Sequence, residues 1–178
     1  TRFEESGGGL YKIKGGIGHS DWSADGMQPH LADKMLEYLD ENKDSDKPFF
    51  LYMALTAPHI PLFPSKEFKG KSKIGDYGDL VMMIDDIVGR VNRKLKEIGK
   101  YDNTIVMFAA DNGCAGYINM DRINRKGHYP SYIYRGYKSH GWEGGHRIPF
   151  ILSWGDRYGH VTDNSLVSLT DLYATFAD

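Results

Sequence analysis

The stretch that most constrains the fold is a short apolar run that ends in three turn-forming residues. Residues 104–108 are β-branched, aromatic or Met, two alanines follow, and the run stops at Asp111, Asn112 and Gly113. Such a run, bounded by turn residues, predicts a strand that is buried on both faces of a sheet. Because ligands of open parallel sheets bind beyond the carboxyl ends of the strands, Asp111 and Asn112 stand at a candidate site. Their oxygen atoms suit Ca²⁺ or Mg²⁺, although the same three residues also favour a simple turn.

The length and charge of the chain limit its class and its partners. A chain of 178 residues suits one domain with a full core. The net charge of -2 gives no electrostatic basis for binding nucleic acid or a membrane surface. No apolar stretch approaches the length of a membrane span, and the N-terminus does not resemble a signal peptide. Cys114 is the only cysteine, so cysteine usage does not indicate a compartment.

Two further segments extend the apolar run into a strand–helix–strand pattern. Residues 48–55 form a second apolar run of strand length. Between the two runs, apolar residues recur at helical spacing and predict a helix over about 76–98. A strand–helix–strand unit is a right-handed crossover, so we expect the strands that end near Leu55 and Ala110 to be parallel.

The remaining segments complete an α/β pattern with a parallel-rich sheet flanked by helices. Residues 1–29 lack periodicity, and residues 31–39 carry a helical stripe. A third strand is predicted over 148–154 and a last helix over 168–178. Residues 113–145 are dense in Gly, Tyr, Arg and His, and an aperiodic segment of that length in a compact domain is usually functional.

Polar side chains follow the predicted strands at positions where they could act together. His59 follows the second apolar run between two prolines, while Lys138 and His140 lie in the long aperiodic segment. Because parallel strands end on one edge of a sheet, we expect these groups to share a cleft with Asp111 and Asn112. Lysine binds phosphate or sulfate as a point charge, and histidine can donate a proton to a departing oxygen. Taken singly, a solvated lysine and a surface histidine are the simpler interpretations.

Several segments match a known family in order and spacing. They are Lys47-Pro-Phe-Phe-Leu-Tyr-Met-Ala54, Ala57-Pro-His-Ile-Pro61, Tyr77–Gly99 with its Asp85…Val88-Gly89 pattern, Asp102–Gly113, Arg135-Gly-Tyr-Lys138…Trp142-Glu-Gly-Gly-His-Arg-Ile-Pro-Phe150 and Ser168–Asp178. Together they resemble the arylsulfatase-like sulfatase family of the alkaline phosphatase superfamily. The resemblance spans roughly 30–178 and implies an alkaline-phosphatase-like fold. It further implies that 1–178 is the C-terminal part of a sulfatase catalytic domain, with 1–29 as an irregular lead-in and the N-terminal strands missing.

The resemblance also implies a role for each candidate residue. Asp111 and Asn112 would be two ligands of a divalent metal, usually Ca²⁺. Lys138 would bridge the sulfate and the leaving-group oxygen, and His59 would bind the sulfate and help to protonate the leaving group. The family's nucleophile is a formylglycine hydrate, made from the first residue of a Cys/Ser-x-Pro-x-Arg motif. Its hydroxyl attacks sulfur, the alcohol leaves, and the hemiacetal then expels sulfate.

The chain departs from the family at the nucleophile. Cys114 is followed by Ala115 and Gly116, so it does not begin that motif, and no serine does. We interpret Cys114 as a small buried thiol. The family's paired N-terminal aspartates, and the lysine and histidine that follow its nucleophile, would lie upstream of residue 1. We therefore expect a sulfatase fragment with part of the metal and sulfate site, and no turnover by this chain alone.

Two other functions stay open at this stage. A phosphodiesterase or phosphonate hydrolase of the same superfamily uses a similar site, although the segment 142–147 favours a sulfatase. A non-catalytic remnant of the scaffold is the other alternative. The expected partner is a sulfated small molecule or carbohydrate, and self-association is expected through a sheet edge that missing strands would leave exposed. Family members commonly work in the periplasm, outside the cell or in lysosomes.

Overall fold

The computed structural model describes residues 12–178 together with the backbone of the strand Arg2–Phe3. The glycine-rich part of the predicted lead-in, within 4–11, lies outside the described residues. The helices are α1 (Met27–Glu41), α2 (Asp76–Glu97), α3 (Met120–Arg125), α4 (Glu143–His146) and α5 (Asp171–Ala177), and the strands are β1 (Arg2–Phe3), β2 (Gly16–Ile17), β3 (Ile105–Ala109) and β4 (Phe150–Trp154). Short 3₁₀ turns cover Tyr101–Asn103 and Gly116–Ile118. The chain is thus a mixed α/β structure.

Helices α1 and α2 pack against each other and form the best-buried layer. The prediction of α2 is confirmed, and Leu80, Ile84, Ile87 and Leu95 are buried along its apolar face, while Val81 is 40% exposed. Acidic residues stand in its first turn and lysines in its last, which suits the helix dipole. Gly99 follows with a φ of 69° and ends the helix. Helix α1 begins earlier than predicted, with Pro29 in its first turn, where proline is tolerated.

The core lies between these helices and the chain that connects them. Its buried members are Ala32, Met35, Leu62, Phe68, Leu80, Met83 and Ile87. Met53, Leu55, Ala57 and Ile60 pack against it from the connecting segment. Asp79 is fully buried and accepts hydrogen bonds from the backbone N–H groups of Gly70 and Ser72 at 2.8 and 2.6 Å. This packing fixes the segment that carries His59.

The prediction of a buried strand over 48–55 is wrong for this structure. The segment has no regular secondary structure and takes part in no strand pairing. Met53 and Leu55 pack against the helical core, whereas Phe50 and Tyr52 are 71% and 79% exposed. The side chains of an apolar run are stabilised when other apolar groups cover them. Here the helices, rather than a neighbouring strand, cover one side of the run.

The predicted parallel pairing is also not found in the described part of the chain. Strand β3 pairs with β4 in antiparallel register, from Ile105 opposite Trp154 to Ala109 opposite Phe150. The other strand pair, β1 with β2, is antiparallel as well. Both β3 and β4 were predicted as strands, but β3 is not buried on both faces, since Ile105 is 44% exposed. Among the described residues β3 pairs with β4 alone, so its other edge has no neighbouring strand there.

The long segment between β3 and β4 is less irregular than predicted. It contains the 3₁₀ turn at 116–118 and the short helices α3 and α4. The side chain of Asn119 accepts a hydrogen bond from the N–H of Arg122 and so caps α3. Among the helices of residues 12–178, none is both long enough and apolar enough to cross a membrane.

Candidate active site

The loop after β3 carries Asp111 and Asn112, and glycines hold it against the long segment. The N–H of Gly113 donates to the carbonyl of Gly145 at 2.9 Å. A Cβ atom on Gly113 would overlap the carbonyl oxygen of Gly144. Only glycine fits at this crossing, because any side chain would push the two backbones apart. The sequence Asp-Asn-Gly is therefore a junction between two loops as well as a turn.

Lys138 is brought to the same junction by a second backbone contact. Its N–H donates to the carbonyl of Cys114 at 2.8 Å, while the N–H of Gly144 donates to the carbonyl of Arg135 at 2.9 Å. Gly136 has a φ of 86°, which lets the chain reverse between these two contacts. The half-buried Lys138 consequently lies against the segment that begins with Asp111.

His59 lies in a tight turn, where its backbone N–H donates a hydrogen bond to the carbonyl of Thr56 at 3.0 Å. The imidazole Nδ1 lies 2.7 Å from the carbonyl oxygen of Ile60. A carbonyl oxygen only accepts hydrogen bonds, so Nδ1 must carry the proton. This contact therefore fixes the tautomer and leaves Nε2 as the atom that can meet a ligand.

Tyr117 links the turn of His59 to the loop of Asp111. Its ring meets the His59 ring edge to face, with centroids 5.6 Å apart. Burial raises the pKa of Tyr117, and the charges of Cys114 and Asp111 contribute in the same direction. The backbone of Ile60 lowers the pKa of this phenol in part. Tyr117 cannot be singled out from the sequence, because its contact with His59 joins loops that are far apart along the chain.

Cys114 is half-buried beneath these loops. The phenol of Tyr77, from the first turn of α2, donates to Cys114 Sγ at 3.7 Å, and Met120 Sδ lies 3.8 Å from the same sulfur. Burial raises the pKa of the Cys114 thiol, and it also raises the pKa of the Tyr77 phenol. A thiol held protonated in this way is a poor nucleophile. The contact instead anchors the site loops to the helical layer.

The donor atoms of Asp111 and Asn112 fit Ca²⁺ in type but not in number. The Asp111 carboxylate is exposed, and Asn112 Nδ2 donates to the carbonyl of Gly113 at 3.1 Å. That hydrogen bond leaves the amide oxygen of Asn112 as a possible ligand. Calcium takes about six to eight oxygen ligands. Within residues 12–178, no three His, Cys, Asp or Glu side chains converge on one metal-sized site.

Known proteins resemble this chain over most of its length. The sequence profile of the family described as Sulfatase matches residues 14–178. The chain belongs to the sulfatase family. An N-acetylgalactosamine-6-O-sulfatase of Bacteroides thetaiotaomicron is 33% identical to this sulfatase chain over 159 residues, which cover 88% of the chain and 31% of the relative. The resemblance seen in the sequence is thereby confirmed.

Solved structures give the same assignment. The PsFucS1 sulfatase from Pseudoalteromonas sp. superposes with a TM-score of 0.75 at 31% identity, covering 92% of this chain and 32% of that one. Ps i-CgsB, solved in complex with k-i-k-neocarrahexaose, gives a TM-score of 0.68 at 28% identity, covering 91% and 35%. The sulfatase chain therefore spans about a third of the length of the proteins that it matches.

Proposed function

We propose that the chain is the later part of the catalytic domain of a sulfuric ester hydrolase. In this proposal His59 and Lys138 act on the sulfate ester, Asp111 and Asn112 supply part of a divalent-metal site, and residues outside the chain complete both. Family membership supports the reaction class. The observation that carries the proposal is the crossing at Gly113 and Cys114, where two backbone hydrogen bonds join the Asp111 loop to the Lys138 loop.

Lys138 would stabilise the negative charge of the sulfuryl group. Its ammonium group is a compact cation that binds sulfate as a point charge. Charge builds on the sulfuryl oxygens and on the departing oxygen during ester cleavage, so a fixed cation stabilises the transition state more than the ground state. The backbone contact to Cys114 limits how far the loop can move away from Asp111.

His59 would hold the proton for the leaving group on Nε2. The hydrogen bond to Ile60 commits Nδ1–H to the backbone, and the edge of the Tyr117 ring limits rotation of the imidazole. When the ring is protonated, Nε2–H is the free donor and can protonate the departing alcohol oxygen. An imidazole whose tautomer and orientation are both fixed loses little entropy when it acts.

The metal and the nucleophile are the parts that this chain does not supply by itself. A Ca²⁺ ion bound at Asp111 and Asn112 would polarise the sulfuryl oxygens as a Lewis acid. A formylglycine hydrate supplied from outside the chain would provide the attacking hydroxyl. Both expectations come from the family, and the donor types of Asp111 and Asn112 are compatible with the first.

We propose a sulfated carbohydrate as the substrate class. One similar protein is named an N-acetylgalactosamine-6-O-sulfatase, and another was solved with k-i-k-neocarrahexaose. We further propose that the exposed ribbon β3–β4 pairs with another strand, either from the rest of the domain or from a second copy. Ile151 and Leu152 are exposed on it, and uncovered apolar strands associate readily. Sedimentation velocity of the chain over a range of concentrations tests for the second copy.

The decisive experiment measures hydrolysis of 4-nitrophenyl sulfate and 4-nitrophenyl phosphate by the full-length protein that carries this chain. We expect the sulfate to be preferred. Lys138→Ala should lower kcat/KM on the order of a hundredfold or more, because it removes a charge that stabilises the transition state. Lys96→Ala is the matched control, since Lys96 lies on the exposed face of α2 over the Tyr101 ring and should leave the activity unchanged.

Three outcomes would contradict parts of the proposal. A preference for the phosphate ester would favour the phosphoryl-transfer alternative. Hydrolysis by the 178-residue chain alone, abolished by Lys138→Ala, would refute the view that the site is incomplete. Tight Ca²⁺ binding by the chain alone in calorimetry, lost in Asp111→Ala, would favour a self-sufficient metal-binding module.

A further inference from the structure

A buried glutamine of α1 reaches the turn that carries His59. Gln28 lies in the first turn of α1 and is only 3% exposed. Its Nε2 donates a hydrogen bond to the hydroxyl oxygen of Thr56 at 2.5 Å. The carbonyl of the same threonine accepts the N–H of His59 at 3.0 Å. Two direct hydrogen bonds thus connect α1 to the backbone of His59, with Thr56 between them.

The position of the imidazole depends on this turn. His59 is itself exposed, and its Nδ1 lies 2.7 Å from the carbonyl oxygen of Ile60 in the same turn. Ala57 and Ile60 pack against the helical core and hold the turn from below. The bond from Gln28 holds the start of the turn at Thr56. A shift of the turn relative to α1 would therefore carry the imidazole with it.

Gln28 is a costly residue at this place if stability is its only contribution. Its Oε1 is buried and has no hydrogen-bond partner among the described residues. A buried polar atom without a partner costs free energy. An apolar side chain of similar shape would avoid that cost, and the nearby Ala32 and Met35 of the same helix are apolar. The bond to Thr56 is thus what distinguishes Gln28 from an ordinary core residue.

We propose that Gln28 is a positioning residue for His59, which it holds in place through Thr56. This inference rests on the proposed function, in which the imidazole Nε2 gives a proton to the departing oxygen. Gln28 acts through the turn and does not itself touch the substrate. A proton donor must lie about 2.6–3.2 Å from the atom that it protonates, so a small shift of the turn slows the transfer.

The test compares kcat of the full-length protein for phenyl sulfate and for 4-nitrophenyl sulfate. Phenolate is a poor leaving group that needs a proton, whereas 4-nitrophenolate leaves readily without one. Gln28→Met should lower kcat about tenfold for phenyl sulfate and less than about threefold for 4-nitrophenyl sulfate. Its melting temperature should stay the same or rise, because methionine removes the unpaired oxygen.

A control variant and the partner residue sharpen this test. Asn42→Ala removes a side-chain hydrogen bond at the other end of α1, to the carbonyl of Tyr38 at 2.8 Å, and should leave kcat for both esters unchanged. Thr56→Val should repeat the pattern of Gln28→Met, and Thr56→Ser, which keeps the hydroxyl, should retain nearly full activity. The double variant of Gln28→Met and Thr56→Val should lose no more than the larger single loss, because both remove one shared bond.

Three results would overturn the positioning role. They are an unchanged kcat for phenyl sulfate in Gln28→Met, equal losses for the two esters, and a loss of activity that accompanies a fall in melting temperature, which would indicate a structural role only. If Thr56→Val fails to fold, Gln28→Met and Thr56→Ser still decide the matter.

His59→Ala separates this inference from the proposed function. If His59→Ala slows phenyl sulfate more than 4-nitrophenyl sulfate while Gln28→Met does not, the positioning role fails and the proton donor stands. If His59→Ala slows both esters equally, the proton-donor role fails and the role of Gln28 fails with it. The dependence of activity on Lys138 would still judge the sulfatase reaction in either case.

Discussion

The β3–β4 ribbon of this sulfatase chain is richer in apolar residues than the helical layer, yet its side chains are much less buried. In the helical layer Leu95 is 1% exposed, and Leu39 and Met83 are almost fully buried. In the ribbon Leu152 is 43% exposed and Ile151 is more exposed still. The two helices bury each other's apolar stripes, whereas each strand of the ribbon pairs with only one other strand in the described part of the chain.

The difference follows from how each element satisfies its backbone. A helix makes its hydrogen bonds internally, so two helices and a connecting segment can form a core without other elements. A strand makes its hydrogen bonds to neighbouring strands, so it depends on other parts of the chain, and a two-stranded ribbon is marginal by itself. The helical layer is therefore the part of the chain that we expect to be stable alone, and the ribbon is the part that depends on additional chain.

Matched Leu→Ala substitutions in the two regions test this comparison, and they have the largest expected effect on the free energy of unfolding. Leu95→Ala should lower the free energy of unfolding by about 2–5 kcal/mol, because it leaves a cavity in the helical core. Leu152→Ala, in β4, should cost less than about 1 kcal/mol, since Leu152 is already 43% exposed. Urea denaturation followed by circular dichroism measures both. Equal losses at the two sites would show that the ribbon is covered in solution.

The sequence predicts the helical layer better than the sheet, for a physical reason. The apolar residues of α2 repeat at a spacing that only a helix can bury on one side, so both its type and its extent follow from the pattern. The apolar runs at 48–55 and 104–108 indicate only that something must cover them. Pairing direction and the identity of the partner depend on the rest of the fold, which is why the parallel crossover was predicted and an antiparallel ribbon is found.

The same distinction holds for the candidate site. Asp111, Asn112 and Lys138 could be singled out from their positions in the sequence, and the roles that the family resemblance gives them stay predictions. The contacts that bring their loops together could not be predicted, because they depend on backbone approach at Gly113 and Gly144. Clustered glycines were the available signal, but a glycine pair also serves simple turns.

Glycine substitutions at the loop junction are a second test, with a smaller expected loss of stability. A Cβ atom on Gly144 would overlap the carbonyl oxygen of Gly136, whereas one on Gly141 would meet nothing within 4 Å. Gly144→Ala should cost about 1–3 kcal/mol, because overpacking forces two backbones apart. It should also shift the amide NMR signals of Gly113 and Lys138. Gly141→Ala should stay within about 0.5 kcal/mol, and an equal cost at both positions would contradict the close crossing.

The thiol of Cys114 lies where the helical layer contacts the site loops, so its reactivity reports on that contact. The expected effect is the smallest of the three tests. Burial raises its pKa, while the hydrogen bond from Tyr77 lowers it in part. The rate of alkylation by iodoacetamide should therefore rise with pH through a midpoint above the value of about 8.5 for a free cysteine. Tyr77→Phe removes the donor to the thiolate, so it should move that midpoint higher.

Because the pKa of Cys114 is raised in the folded state, this thiol also makes the free energy of unfolding depend on pH. The folded state favours the protonated thiol, so its contribution is fully present below the pKa of the unfolded chain and is lost as pH rises through the folded-state pKa. Cys114→Ala should therefore flatten the fall in unfolding free energy that begins near about pH 8.5. An alkylation midpoint at or below that of free cysteine would mean that the site loops do not cover the thiol, and that the helical layer does not hold them through Tyr77.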